Sequence, residues 1–294
     1  MKVMHRFVLH NDNVQDAHVN SVSVGQTGLM NGWGVFSTIR IAGGVLFAFE
    51  RHWARMRRDA ERMRVPFPDD PDYIKSRLLK LIDANDASDA TLRVAVVRNH
   101  GGPFQGPGID RDFDLVAFTT ALADWGDSVR LTLKSFGRYA QNEFAGLKIM
   151  SWAQNLTWYE EAHERGFDEV VLLNERGEVS ECTSANIFVA SGSRVLTPPL
   201  ISGCLPGVTR ELLLDEIRVD GISVHQQTIF PEDLEEADEV FITSTTRDLL
   251  PIRLIEGLRI KHGDRVLDAL RAALAAYRED YVRNHSGIPA SSRV

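Results

Sequence analysis

Cysteine is scarce: the 294 residues contain two, Cys182 and Cys204. That excludes a disulfide scaffold and a four-thiolate zinc site. Lysine is scarce too. Of the 33 basic residues only 6 are Lys and 27 are Arg, so a Lys with an unusual neighbourhood stands out. No apolar run reaches the roughly 18 residues of a membrane helix. Met1–Arg6 leads into no apolar signal core, so the expected compartment is the cytoplasm. The net charge of −8 disfavours a nucleic-acid binder. The phosphate loop GxxxxGK[ST], the dinucleotide loop GxGxxG, the elbow GxSxG and the zinc helix HExxH are all missing. The nine His are scattered, with no pair at metal-ligand spacing on a helix, so metal chemistry and Ser-His-Asp hydrolysis are disfavoured.

What remains is ordinary globular material, 44% hydrophobic and 25% charged. At about 150 residues per domain the length predicts one large domain or two moderate ones. Gly43-Gly44 between Val35–Ile41 and Val45–Phe49 marks a hairpin. Trp53, Met56, Ala60 and Met63 fall at helical spacing within 50–64, and Pro66 and Pro68 end that helix. A second helix is expected over 71–84, and strands over 91–97 and 114–120. Residues 121–127 form a candidate linker. Beyond it the pattern predicts strands at 129–134, 169–173, 186–189 and 240–243. Helices are expected over 150–165, 205–217 and 264–282, the last presenting Val266, Leu270, Leu274, Tyr277 and Tyr281 on one face. Asn284–Val294 reads as a loose tail. Strands and helices alternate irregularly, giving an α/β (mixed α+β) class.

Four segments carry candidate chemistry. In Phe144-Ala145-Gly146-Leu147-Lys148-Ile149-Met150 one cation sits among apolar residues before a helix. Burial lowers a lysine's pKa, and a neutral amine is what Schiff-base formation needs. An exposed Lys at a helix start is the plain alternative. Glu181, in Ser180-Glu181-Cys182-Thr183, suits a protonated ring nitrogen or, equally, a turn. Leu205-Pro206-Gly207-Val208-Thr209-Arg210 opens a helix whose N–H groups could bind an anion or serve as an ordinary helix entry. Thr243-Ser244-Thr245-Thr246 gathers hydroxyls at a strand end. Together these are the parts a phosphorylated pyridine aldehyde requires: an amine, an acid and phosphate donors.

With those segments in this order the chain resembles the class IV pyridoxal-phosphate aminotransferases, which include branched-chain and D-amino acid aminotransferases and aminodeoxychorismate lyase. The resemblance runs from about Gly28 to Tyr277. It is carried by Gly166–Asn174 through Glu181, Asn186-Ile187-Phe188, Thr197–Leu200, Leu205–Arg210 and Ala237–Phe241. It implies a small N-terminal domain (1–120), a linker (121–127) and a larger C-terminal domain (128–294) holding Lys148. The cofactor, pyridoxal 5′-phosphate, is expected between them in a homodimer. Lys148 would form the Schiff base and move the proton between substrate Cα and cofactor C4′. Glu181 would hold the ring nitrogen. Arg55, the Val208 and Thr209 N–H groups and the Thr245 hydroxyl would hold the phosphate. Phe36, Thr38 and Arg40 would face the substrate, with Thr246 near its carboxylate. Arg98, in Arg98-Asn99-His100, would be a further carboxylate ligand; a polar loop rich in Gly101, Gly102, Gly106 and Gly108 is the other reading of that segment.

The resemblance implies amino-group transfer from an amino acid to a 2-oxo acid. A lyase releasing pyruvate with the same Lys148 is the alternative, and a non-catalytic cofactor-binding protein a further one. Around the lysine the sequence departs from the branched-chain pattern: Ser151-Trp152-Ala153 follows where those enzymes have Asn-Tyr, and Phe36-Ser37-Thr38 stands where they have Phe-Glu-Gly.

Overall fold

The computed structural model describes residues 3–19, 23, 25–102 and 109–286. Its Cα packing separates two compact units. One is Met1–Ala123 with Lys148–Trp152 and Glu279–Val294; the other is Asp124–Leu147 with Ala153–Arg278.

The first unit contains β1 (Met4–His10), β2 (Asn13–Asp16), α1 (Thr27–Asn31), β3 (Gly34–Ala42), β4 (Val45–Leu46), α2 (Phe49–Arg62), α3 (Pro71–Ala84), β5 (Ala90–Arg98) and β6 (Phe113–Ala121). Its sheet runs β2-β1-β6-β5-β3-β4, antiparallel throughout. Gly43 and Gly44, at φ 53° and 75°, make the tight turn from β3 to β4 that the Gly-Gly pair predicts. β4 is shorter than its apolar run, because Phe49 already opens α2. One sheet face, with Val35, Ile39, Leu92 and Val94, packs on Trp53, Met56 and Ala60 of α2 and on Leu78 and Leu81 of α3. Truncating such a residue to Ala costs about 2–5 kcal/mol, from lost transfer energy and the cavity left behind. Asp70 caps α3 by accepting the Tyr73 N–H, and Pro71 occupies its first turn.

The second unit contains β7 (Val129–Lys134), α4 (Ala153–Glu164), β8 (Glu169–Leu173), β9 (Val179–Cys182), β10 (Asn186–Ser191), β11 (Arg194–Thr197), α5 (Val208–Asp215), β12 (Ser223–Gln226), α6 (Pro231–Glu236), β13 (Glu239–Ser244), β14 (Asp248–Ile255) and most of α7 (Arg265–His285). The sheet order is β12-β11-β10-β13-β14-β7-β8-β9. Every residue of β8 is buried, as its unbroken apolar run implies. Val266, Leu270, Leu274 and Tyr281 are the buried stripe of α7.

Several expectations change. The segment after Lys148 is no helix until Ala153, and α5 starts at Val208 rather than at 205. Strands β9, β11, β12 and β14 carry too little alternation to be read from sequence. The helix α7 runs through His285, while Gly106, Gly108 and the tail beyond Ser286 lie outside the described residues. The largest difference concerns Lys148, expected in a contiguous C-terminal domain. Lys148–Trp152 packs with the first unit instead, because β4 covers only Ile41 and Ala42 of β3 and leaves the other end of that edge open. There Phe36 N–H donates to the Lys148 carbonyl (3.1 Å) and Met150 N–H to the Gly34 carbonyl (2.9 Å). Gly34 makes this approach possible: a Cβ there would lie 2.6 Å from Met150 Sδ and 2.7 Å from the Val96 carbonyl. The end of α7 joins the same unit, where Tyr281 Oη donates to Glu50 (2.6 Å) and its ring meets Phe47 edge-on.

Candidate active site

In the first unit the candidate residues gather on β3, α2 and the Lys148 segment. The backbone of Lys148 is held on both sides: its carbonyl by Phe36, its N–H by Asp59 Oδ2 at 3.0 Å. Its Nζ lies 4.6 Å from the Phe36 ring centroid and 5.9 Å from that of Trp152, within cation–π range. Phe36 and Trp152 meet edge-to-face.

Arg55 differs from its neighbours on α2. Arg57, Arg58 and Arg62 are exposed, whereas Arg55 is buried, with Nη2 donating to Ser37 Oγ at 2.8 Å. Arg51, Arg58 and Arg62 share the helical face of Arg55 at spacings of four, three and seven, so a solvated face is the plain alternative for it and helical phase alone does not separate these four. Ser37 Oγ also shares a 2.8 Å hydrogen bond with His52 Nδ1. Burial holds His52 well below the usual imidazole range, with the nearby charges of Arg55 and then Lys148 adding to the effect. His52 is therefore neutral at pH 7, and its buried Nε2 has no hydrogen-bond partner among the described residues.

Thr38 and Arg40 share the face of Phe36 by strand alternation, and both are half-buried. Arg93, which sequence reading passed over, lies opposite Thr38 in register. Its guanidinium sits 3.9 Å from the Phe36 ring centroid, and burial lowers its pKa. It makes no ion pair among the described residues. The signal was available, since Phe36, Thr38 and Arg93 follow from β3 and β5 alternating side by side, but only once their register was known.

Arg98 is placed differently. Its Nε donates to the His100 carbonyl and Nη1 to the Arg64 carbonyl, and its guanidinium lies 4.3 Å from the Trp33 ring centroid. The fork is used to tie backbone segments together.

In the second unit Glu181 is buried on β9. Oε1 accepts from Arg138 Nε at 2.8 Å and Oε2 from the Leu205 N–H at 3.0 Å. Arg138 also donates to Asn155 of α4, whose Nδ2 reaches the Thr183 carbonyl. Neither Arg138 nor Asn155 was singled out by sequence, since each is an ordinary polar residue until folding brings it to Glu181. The Leu205 contact links Glu181 to the entry of α5, where Val208 and Thr209 occupy the first turn behind Gly207, a cap without a side chain. The macrodipole and the first-turn N–H groups of a helix, which have no intrahelical acceptor, favour an anion.

Thr245 and Thr246 form the turn between β13 and β14. The next residue, Arg247, is buried and pairs with the fully buried Glu169 at 3.2 Å. It also donates to Ser184 Oγ at 2.7 Å. Glu169 accepts from Thr183 Oγ1 and Ser184 Oγ as well. This buried pair ties the hydroxyl turn to the segment just after Glu181. Thr243 Oγ1, two residues before Thr245, is buried with no hydrogen-bond partner among the described residues. Cys182 and Cys204 are both buried; burial pushes the Cys204 thiol up to about 12 and Cys182 higher than a normal thiol, so neither is a nucleophile at pH 7. Among the described residues no group of three His, Cys, Asp or Glu is placed to hold a metal.

By residue chemistry each unit carries part of what a phosphorylated pyridine aldehyde requires: the first an amine on an aromatic face and a buried guanidinium, the second a held carboxylate and a helix start without a side-chain cap.

Comparison with known proteins agrees with this chemistry. The family model described as amino-transferase class IV matches residues 34–255. A D-alanine aminotransferase from Bacillus licheniformis is 27% identical over 260 residues, covering 87% of this chain and 90% of that protein. A branched-chain-amino-acid aminotransferase from Salmonella typhimurium is 29% identical over 266 residues, covering 85% of this chain and 84% of its own length. The solved structure of the branched-chain aminotransferase from Escherichia coli superposes with a TM-score of 0.83 at 23% identity, over 93% of this chain and 94% of that one, and shows the same fold.

Proposed function

The chain belongs to the class IV aminotransferase family, and from that premise we propose that it moves an amino group from an amino acid to a 2-oxo acid with pyridoxal 5′-phosphate as cofactor. The observation that carries this reading is the seating of Lys148: its backbone is fixed by Asp59 and Phe36, and its amine is laid over an aromatic ring.

When bound, the cofactor supplies an aldehyde for that amine and a ring that takes up electrons. Lys148 Nζ would take the proton from substrate Cα and deliver it at cofactor C4′, a short reach for a flexible side chain on a pinned backbone. Glu181 accepts the ring N–H and keeps that proton in place; Arg138 and the Leu205 N–H fix its direction while leaving acceptor capacity, because a carboxylate offers about four lone-pair sites. Arg55, the Val208 and Thr209 N–H groups and the Thr245 hydroxyl hold the phosphate. Phe36, Thr38 and Arg40 border the substrate, with Thr246 on its carboxylate side. Arg93, desolvated and with no ion pair among the described residues, adds a cation on the Phe36 face and favours substrates that bring a carboxylate there. The protein works as a cytoplasmic homodimer in this reading. No helix among the described residues is long and apolar enough to cross a membrane.

The test is the absorbance of the protein reconstituted with pyridoxal phosphate, before and after single amino acids of a D and L panel. A Schiff-base band that bleaches to the amine form with one donor supports transamination and gives its handedness. A band that persists with every donor, together with pyruvate release from an aminodeoxychorismate-like substrate, replaces transamination by the lyase. Absence of any band overturns the cofactor.

A further inference from the structure

α2 places more than Arg55 on the inner side of the first unit. His52, Arg55 and Asp59 follow at intervals of three and four, and so share one helical face. All three are buried. Asp59 is a carboxylate with no solvent exposure, an expensive placement unless both oxygens are used. Oδ1 is taken by Arg58, through Nε at 3.2 Å and Nη2 at 2.8 Å. Oδ2 accepts the backbone N–H of Lys148, a residue 89 positions away. The opposite side of the same residue is bonded to Phe36 of β3, and Ile149 bridges Val35.

We propose that Asp59 is a positioning residue for Lys148: its carboxylate oxygen fixes the lysine's main chain on the helix that carries Arg55, so that the amine and the guanidinium keep a set spacing. The proposal rests on Lys148 being the Schiff-base lysine. The physical ground is that one rigid element holds both groups. Arg55 leaves the helix one turn before Asp59, and Asp59 is bonded to the backbone from which the reactive side chain grows. Losing that acceptor strands a buried N–H and lets the segment shift away from β3, which misplaces an amine that must meet a carbonyl carbon within a few tenths of an ångström.

The experiment measures the rate at which pyridoxal phosphate attaches to Lys148. The amine condenses with the aldehyde with loss of water, borohydride then delivers hydride to the C=N bond, and peptide mass locates the phosphopyridoxyl group. Affinity for pyridoxamine phosphate, which has no aldehyde and cannot engage the lysine, is measured beside it. Asp59→Ala and the space-filling Asp59→Leu both remove the acceptor. Asp59→Asn combined with Arg58→Ala keeps an acceptor for the Lys148 N–H and drops both charges. The expected result is attachment about tenfold or more slower in the two acceptor-free variants, with pyridoxamine phosphate affinity changed by less than about threefold, and a near-normal rate in the double variant. Normal attachment in the acceptor-free variants overturns the proposal. So does a loss of pyridoxamine phosphate affinity in step with the rate, which would make Asp59 merely structural. A double variant as slow as the acceptor-free ones overturns it too, by showing that charge rather than the hydrogen bond matters. An unlabelled Lys148 in the unaltered protein would instead overturn the Schiff-base reading, and this proposal with it.

Discussion

Lys148 and Glu181 are held in opposite ways. The lysine is secured through its main chain, at N–H and carbonyl, while its long side chain reaches over Phe36. The glutamate is secured through its side chain, with Arg138 on one oxygen and the Leu205 N–H on the other. The contrast matches the work proposed for each. A base that forms a bond and then moves a proton needs a fixed origin and a movable tip. A carboxylate that keeps a ring nitrogen protonated must not move at all, since its contribution depends on a dipole already aimed. The immediate contacts differ too: the lysine's amine lies over the Phe36 and Trp152 rings, whereas the Glu181 carboxylate accepts from Arg138, which also donates to Asn155.

The strongest way to break this comparison is Lys148→Ala, expected to abolish turnover in a protein that folds and still binds pyridoxamine phosphate. Full activity in a steady-state assay would remove Lys148 from catalysis. Next is Glu181→Gln, which keeps the shape and hydrogen bonds to the carbonyl oxygen but offers the ring nitrogen no charge. It is expected to lower kcat by about a hundredfold with a much smaller change in KM, because the electron sink acts mainly in the transition state. An unchanged kcat would leave Glu181 as a structural link to Leu205.

The smallest effect concerns His52. Its folded pKa lies well below 6.5, the unfolded value, so below pH 6.5 the unfolded chain takes up a proton that the folded one does not. Its contribution to stability is therefore complete above pH 6.5 and is lost progressively as the pH falls below that value. His52→Asn should lose less melting temperature than the unaltered protein over that interval; equal losses would show that other groups drive the acid sensitivity.

Arg55 and Arg98 show how far the sequence reaches. Both were expected to bind anions, one through phosphate and one through carboxylate, and both are Arg in an Arg-rich chain. The fold buries Arg55 beside Ser37 and directs the fork of Arg98 to two backbone carbonyls. Nothing local distinguishes them, because the difference lies in which strand or loop passes opposite each guanidinium. Arg93 and Asp59 escaped notice for the same reason: their partners, Phe36 and the Lys148 amide, are remote in sequence.

The sequence by itself determined the pieces whose cause is local. These are the apolar stripe of α2, the fully buried β8, the Gly-Gly turn after β3, and the order of amine, acid and anion-binding segments along the chain. Periodicity, turn chemistry and motif order all operate over a few residues, so they survive without coordinates. Tertiary structure alone decided that the lysine belongs to the first unit. That outcome depends on an unfilled stretch of strand edge and on a glycine that lets Met150 approach. Backbone hydrogen bonds between segments more than a hundred residues apart are indifferent to side-chain identity, so no pattern in the sequence records them.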